Sequence, residues 1–422
     1  MKVFEEMGRL LQEQWRRAHH DEQAFPDIAA GVLETLAPYQ NFEPMEPLSW
    51  LYKARLLPRQ LTIHPGFGQP PLTVFSDHRF VIDLYYWIDG TTDIHQHGFS
   101  GAFQVLHGGS IHGHYRWTEE RRINSRMAFG ELALHSINEL RVGDIQRIPS
   151  GRSYIHSLFH LDRPSVTCVV RTLNDPEAGP QYAYRKPGLA VDALYENVHL
   201  AKVEQSLSLL VELSHPMRSQ LISELISNND LYTTYVVFLR LVKLTRRLEV
   251  LDEFWDVAIR THGALAERLI PVFKETVRQS ALFGKRELVK EPEHRYFLAL
   301  LLNVDDVEGI LRMVRQRYPG EEPVELIMKW VTTLCGPADA AQAGDTLGIP
   351  LDEPMLVVFR QMLLGCPPPQ IIERLKETFE IEDEEREVPH LMELMSALRT
   401  SPVFRPLFSS WPPSDTSKRH QG

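Results

Sequence analysis

The sequence predicts an α+β protein in which a β-barrel is set between a helical N-terminal segment and an all-α C-terminal region. Three observations carry this expectation. Residues from Thr73 to about 175 hold short runs rich in β-branched and aromatic residues, separated by turn-forming pieces such as DGTTD, HGGS and HLDRP. The first forty residues and the stretch from about 192 to 410 instead repeat apolar residues at three- and four-residue spacing. A chain of 422 residues also exceeds the length that a single hydrophobic core usually reaches, so more than one domain is expected.

In chain order, Leu10, Leu11 and Trp15, then Ile28, Val32, Leu33 and Leu36, mark N-terminal helices. Between Asn41 and Pro71 the prolines Pro44, Pro47, Pro58, Pro65, Pro70 and Pro71 deny long regular structure, and this piece is read as a wrapping segment. The strand-like runs are LTVF, FVIDLYYWI, GAFQVL, IHGHYRW, LRVGDIQRIPSG, YIHSLFHL and SVTCVVRT. Seven or so short strands at this spacing favour a barrel or sandwich, because closure removes exposed strand edges.

After GPQYAYRKPGLAVD the pattern turns helical, with Ser214 and Pro216 as a stop and restart. Asp352 and Pro354 open a later helix that Gly365 and Pro367-Pro368-Pro369 close. The expected divisions are 1–70 for the helical and Pro-rich N-terminal segment, 71–190 for the barrel, 191–412 for the helical domain and 413–422 for a disordered tail. The helical domain is expected to cover the barrel mouth or to mediate assembly.

Composition narrows the function classes. A hydrophobic share of 43% and a charged share of 24% are those of an ordinary globular protein. No window of about 18 apolar residues occurs, and Glu5, Glu6 and Glu13 interrupt the start where a signal peptide needs an apolar stretch, which points to a cytoplasmic protein. The net charge of −11 and the scattered Arg and Lys residues argue against nucleic acid and membranes as partners. Cys168, Cys335 and Cys366 form no close pair, so neither a disulfide framework nor a thiolate zinc site is read. The run Glu382 to Glu385 is read as a solvated face.

Histidine carries the chemistry. Of the 18 in the chain, eight fall between residues 94 and 160, where an even spread would place about three. His95 and His97 have the two-residue spacing that points side chains the same way on a strand. Their origins then lie about 6.6 Å apart, which lets two imidazoles converge on an ion about 2.1 Å from each nitrogen. A third ligand must come from a neighbouring strand, where His156 and His160 lie on one face.

DGTTDIHQHGFSGAFQVLHGG resembles the first cupin motif and GDIQRIPSGRSYIH the second, with Gly143, Pro149 and Gly151 in place. The last histidine of the family pattern would fall at Tyr154, and His156 stands two residues later. The usual Glu ligand would fall at Gly101 or Ala102, so the resemblance implies a double-stranded β-helix barrel with a three-histidine site, His95, His97 and His156. Such a site without Glu is similar to that of the cysteine dioxygenase group of thiol dioxygenases. FVIDLYYWIDGTTDIHQH with Trp87, then Phe103 and VLHG, extends the likeness, which spans about a hundred residues. Where that group carries Ser, His and Tyr on a late strand, this chain has Thr167, Val169 and Arg171, and Ala102 cannot join a Cys–Tyr crosslink.

The resemblance implies a mononuclear non-haem Fe(II) oxygenase using dioxygen, with Zn, Ni, Mn or Cu as other metals the ligands suit. Neutral histidines leave the ion's charge intact, which favours an anionic thiol- or carboxylate-bearing small molecule. Arg171 and Tyr154 are the candidate catalytic side chains, with Arg171 suited to a carboxylate or else pairing with a surface carboxylate. The alternatives are a cupin using another metal for isomerisation or hydrolysis, and a ligand-sensing barrel with a helical output domain. A homodimer is one assembly such a chain could form.

Other histidines receive blander readings. His112 and His114 repeat the same spacing and are read as polar residues on a strand face, the alternative being a pair that faces the barrel interior and supports the site, and His107 as an exposed turn residue. Four Glu-x-x-His pairs, Glu196/His199, Glu212/His215, Glu291/His294 and Glu387/His390, offer a rival di-metal site. Pro292, Pro389 and Pro216 place three of them at helix ends, away from the mid-helix positions such a site needs.

Overall fold

A computed structural model of the chain describes residues 1–61, 67–175, 177–214, 216–336, 346–379 and 384–411, the last span without the side chains of 384–387. Two helices open it, α1 (Lys2–Arg17) and α2 (Phe25–Leu36), followed by α3 (Met45–Lys53). The Pro-rich segment thus contains a nine-residue helix. Pro44 precedes α3 and Pro47 sits in its first turn, where backbone N–H groups have no helical partner to lose.

Eleven strands follow among the described residues: β1 (Pro71–Ser76), β2 (Phe80–Trp87), β3 (Ile94–His97), β4 (Gly101–His107), β5 (Ser110–Asn124), β6 (Met127–Leu140), β7 (Ile145–Ile148), β8 (Gly151–His160), β9 (Ser165–Thr172), β10 (Tyr182–Arg185) and β11 (Leu189–Asp192). One sheet has the order β1-β2-β9-β4-β7. The other closes on itself as β10-β11-β6-β5-β8-β3.

The continuous apolar run of β2 has a direct cause, since all eight of its residues are buried. Phe80, Ile82, Leu84 and Tyr86 pack with Leu11, Trp15 and Phe25 of α1 and α2. The alternate residues Tyr85 and Trp87 join Phe103, Leu158 and Val169 in a separate interior core. β9 behaves likewise, with Val166, Cys168 and Val170 toward the helices. A strand covered on both faces loses the polar alternation of a half-exposed one. Cys168 and Cys335 are buried and Cys366 is partly buried, all as free thiols.

The segment GPQYAYRKPGLAVD, which lies outside the predicted strand runs, supplies β10 and β11, and β10 pairs with β3 to bring Ala183 opposite His95. The long β6 was also absent from the predicted runs; its outer half, with exposed Glu131, alternates too weakly to announce a strand.

Helices α4 (Val198–Glu212), α5 (Arg218–Ser227), α6 (Leu231–Thr245), α7 (Asp252–His262), α8 (Ala264–Glu267) and α9 (Leu269–Lys285) come next. They share a core with Met127, Phe129, Leu189 and Val191 of β6 and β11. These helices therefore pack on the barrel wall. The chain divides into compact units at Met1–Val277 and Arg278–Gly422, and the expected division at 190/191 falls inside the first unit because of this shared core.

The second unit contains α10 (Pro292–Asn303), α11 (Val307–Arg317), α12 (Pro323–Cys335), α13 (Glu353–Leu363), α14 (Pro368–Thr378), α15 (Glu384–Thr400) and α16 (Arg405–Phe408). The Asp352 carboxylate caps α13 by accepting from the Met355 N–H at 2.9 Å. Gly365 ends that region with φ of +78°. No strand follows Asp192, and no helix is long and apolar enough to cross a membrane, among the described residues. The predicted tail 413–422 lies outside the described residues.

Trp15 is 2% exposed, bridges α1 to Phe25 and Phe80, and donates from Nε1 to the Asp21 carbonyl at 2.8 Å. Trp15→Ala is expected to cost about 3–5 kcal/mol of the first unit's stability. Tyr52→Ala, at an 89% exposed position, should stay within about 0.5 kcal/mol. Denaturant titration of the two variants checks this; equal midpoints would show that the α1–sheet contact does not support the barrel.

Candidate metal centre

His95 and His97 stand on β3 and His156 on β8, where antiparallel pairing sets His95 opposite His156 and His97 opposite Gly151, with a register shift between. Gly143 and Gly151 take φ of +96° and +72°, the left-handed conformations that turn the chain into and out of β7. One ring nitrogen from each of the three buried histidines lies within 4.8 Å of the others. The resulting triad is the one metal-competent cluster of His, Cys, Asp or Glu found among the described residues.

The hydrogen bonds fit a cation. His95 Nδ1 lies 2.7 Å from the Asp93 carbonyl, an acceptor only, so Nδ1 carries the proton. Its Nε2 then presents a lone pair, is buried, and has no hydrogen-bond partner among the described residues. The Nε2 atoms of His97 and His156 lie 2.9 Å apart. Two imidazoles at right angles, each about 2.1 Å from one ion, would be separated by about 3.0 Å.

Electrostatics agree. Burial lowers the His95 pKa, and burial with the neighbouring imidazoles holds His97 and His156 well below the ordinary histidine value. All three rings are therefore neutral near pH 7, the form that binds metal.

The positions of the missing carboxylate are explained by packing. A Cβ on Gly101 would lie 2.1 Å from the Val170 carbonyl oxygen. Ala102 is fully buried with the cluster that includes Leu11 and Val170. Neither site has room for a glutamate.

Behind His156 stands a group that sequence reasoning placed elsewhere. His112 is buried, and its Nε2 lies 3.0 Å from His156 Nδ1 and 3.2 Å from the Tyr154 hydroxyl. If His156 offers Nε2 to the metal, its Nδ1–H donates to His112, which must carry its own proton on Nδ1. The reading of His112 as a plain strand-face residue is thus corrected. The signal lay in strand pairing, since β5 sets His114 opposite His156 and His112 next along, a register that spacing alone does not reveal. His114 is half-buried beside His112, with ring centroids 4.2 Å apart, and His107 is exposed.

Tyr154 sits beside His156, ring centroids 4.6 Å apart, with its hydroxyl directed to His112. His160 is drawn away from the triad: its ring stacks on Trp87 at 4.5 Å and its Nδ1 lies 2.7 Å from Ser165 Oγ.

A cavity of about 470 Å³ reaches the three histidines. Thr167, Val169 and Arg171, at alternating positions of β9, all face it. Arg171 Nε donates to Asp83 at 3.1 Å, and this carboxylate also accepts from Thr73 Oγ1 at 2.7 Å and the Tyr85 hydroxyl at 3.0 Å. The carboxylate that pairs with Arg171 is therefore buried, not on the surface, and the guanidinium still forms part of the cavity wall.

The Glu-x-x-His pairs form no comparable site among the described residues. Glu196 and His199 are exposed at the start of α4, and Glu291 precedes α10. Pro389 lies inside α15 and not at its end. His215 and the Glu387 side chain lie outside the described residues.

No protein-family model matches the chain, and no curated protein matches it. Among solved structures, the barrel region is similar to hydroquinone 1,2-dioxygenase from Sphingomonas sp. TTNP3, at 12% identity and a TM-score of 0.20, over 26% of this chain and 69% of that one. A sugar phosphate isomerase of the cupin superfamily from Silicibacter pomeroyi aligns at 16% identity and a TM-score of 0.20, over 29% and 72%. A cupin 2 conserved barrel domain protein from Rhodopseudomonas palustris aligns at 14% identity and 0.20, over 31% and 77%. The last two are named as cupins, and at these identities and TM-scores the likeness carries no argument about this chain. The fold here is α+β, with a closed β-barrel and a second sheet between N-terminal helices and a helical C-terminal region.

Three outcomes check the centre. After dialysis against a weak chelator, His156→Ala should lose most bound divalent metal and His160→Ala should keep at least half. His112→Ala should weaken metal affinity by about 10- to 100-fold, as loss of a partner that orients a ligand does. Retention of full affinity in His112→Ala would remove its supporting role. Gly101→Glu should not build a fourth ligand: the clash with Val170 should lower the melting temperature without tightening metal binding.

Proposed function

We propose that this protein is a mononuclear iron-dependent dioxygenase of the cupin type, acting on a small thiol- or carboxylate-bearing anion. The observation that carries the reading is the convergence of three neutral, buried imidazoles, with no carboxylate among them, on the wall of a cavity that also holds Arg171. Three histidines on one side leave the other coordination positions for small molecules. Ferrous iron, when bound, supplies the one-electron chemistry with dioxygen that protein side chains lack.

The chain's own residues do the rest. Asp93 fixes the His95 ring through its carbonyl, and His112 does the same for His156 through an imidazole. The Asp83 carboxylate anchors Arg171 through Nε, which holds the terminal guanidinium nitrogens in one orientation for a substrate anion. Phe103 and Leu158 with Trp87 make the walls apolar, limiting bulk water around the reacting groups. The acidic net charge supports an enzyme without nucleic-acid partners.

Full-length protein purified without oxygen and loaded with Fe(II) should consume oxygen with members of a thiol and carboxylic-acid panel. His95→Ala and His97→Ala should abolish that uptake, and Arg171→Ala should mainly raise the substrate concentration required. Stoichiometric zinc in the isolated protein, with no uptake across the panel, would overturn the dioxygenase reading in favour of a ligand-sensing barrel.

A further inference from the structure

We infer that the cavity selects an apolar monocarboxylic acid, ring- or chain-bearing and without an ammonium group, and that amino acids are rejected. This rests on reading the cavity as the substrate site and narrows the ligand class within it. The first observation is size. At about 470 Å³ the cavity falls in the range of sites for drug-sized ligands, well beyond what a molecule of seven or so heavy atoms fills.

The second is the chemistry of the walls. Phe67, Tyr85, Trp87, Phe99 and Phe103 all face the cavity. Phe67 meets Tyr85 and Trp87 edge-on, with ring centroids 5.1 and 5.0 Å apart. Such rings offer a hydrocarbon body edge and face contacts but supply no formal counter-charge.

The third is the count of charges. Arg171 is the single cationic side chain on the wall among the described residues, and its guanidinium lies 5.1 Å over the Phe99 ring. Its Nε is committed to Asp83 and the guanidinium also interacts with the Tyr85 hydroxyl, so a carboxylate approaches the part of the terminal edge that faces the cavity. No Asp or Glu faces the cavity among the described residues. Asp83, 5% exposed, already accepts from Thr73, Tyr85 and Arg171.

Three of the other side-chain oxygens on the wall, which also include that of Asn174, are engaged as well. Thr92 Oγ1 accepts from the Leu158 N–H at 2.7 Å, Thr167 Oγ1 from Trp87 Nε1 at 3.2 Å, and Gln181 Oε1 from the Gly98 N–H at 3.2 Å. An α-ammonium group would lose its water here and meet no counter-charge, whereas a carboxylate meets Arg171.

The test is binding to the full-length protein by calorimetry, with 3-phenylpropionate, L-phenylalanine and propionate as probes. The expected result is 3-phenylpropionate bound at least tenfold tighter than L-phenylalanine, which adds the ammonium, and than propionate, which lacks the ring. A ratio below tenfold in either comparison overturns the inference, and neither comparison depends on a variant folding. The paired change Arg171→Gln with Asp83→Asn avoids leaving a buried charge alone and should weaken the acid by tenfold or more.

If chelation of the metal abolishes binding while the paired variant retains it, the carboxylate goes to the metal and the inference fails. Oxygen uptake is scored in parallel. Selective binding without uptake upholds the acid class and overturns the dioxygenase reading, so the two stand or fall separately.

Discussion

The pairing of β2 with β9 is the constraint on which the barrel and its cavity depend. Eight consecutive residue pairs, from Phe80 with Thr172 to Trp87 with Ser165, lock these strands without a bulge. Because the side-chain period is two, that register assigns every residue to a face, and a slip of one position would exchange them all. Toward the helices it sends Phe80, Ile82, Leu84, Val166, Cys168 and Val170, and toward the cavity Tyr85, Trp87, Thr167, Val169 and Arg171. The Asp83–Arg171 ion pair ties the same two strands and lies on the cavity side. A buried ion pair of this kind adds little net stability but disfavours any register that would separate its charges.

Much of this was legible in the sequence. The His-x-His of β3 and the turn glycines Gly143 and Gly151 located the triad, because those residue types answer to strict local geometry. The alternation Thr167, Val169, Arg171 also placed Arg171 on the cavity wall. What could not be read depended on pairing between distant strands. His112 supports His156 only because β5 lies beside β8, and nothing within IHGHY states which strand will be its neighbour. Arg171 meets Asp83 across 88 positions of sequence, so its partner could be guessed only as some carboxylate. Nor does the sequence state that Leu189 and Val191, apolar enough for a barrel strand, also pack with the helices that follow.

Helices cover strand faces of both sheets. α1 and α2 cover the outer face of the five-stranded sheet, so β2 and β9 can be apolar on both sides without presenting that surface to water. α4 to α9 cover β6 and β11 in the same manner. The cavity is lined by side chains of both sheets, with Tyr85 and Val169 from one and His95, His156 and Leu158 from the other.

The β10–β11 hairpin also sets an order of events. β3 carries two of the three ligands, yet one of its edges stays open until Ala183 and Tyr184 pair with His95 and Ile94. During synthesis on a ribosome, which proceeds from the N-terminus at roughly 5–20 residues per second, that edge would wait several seconds for its partner. The unpaired backbone of a metal-binding strand is then exposed to other nascent chains. The site is thus completed by one of the last strands to be made, and any stall between β9 and β10 would release a barrel with its ligands present but its wall unsealed.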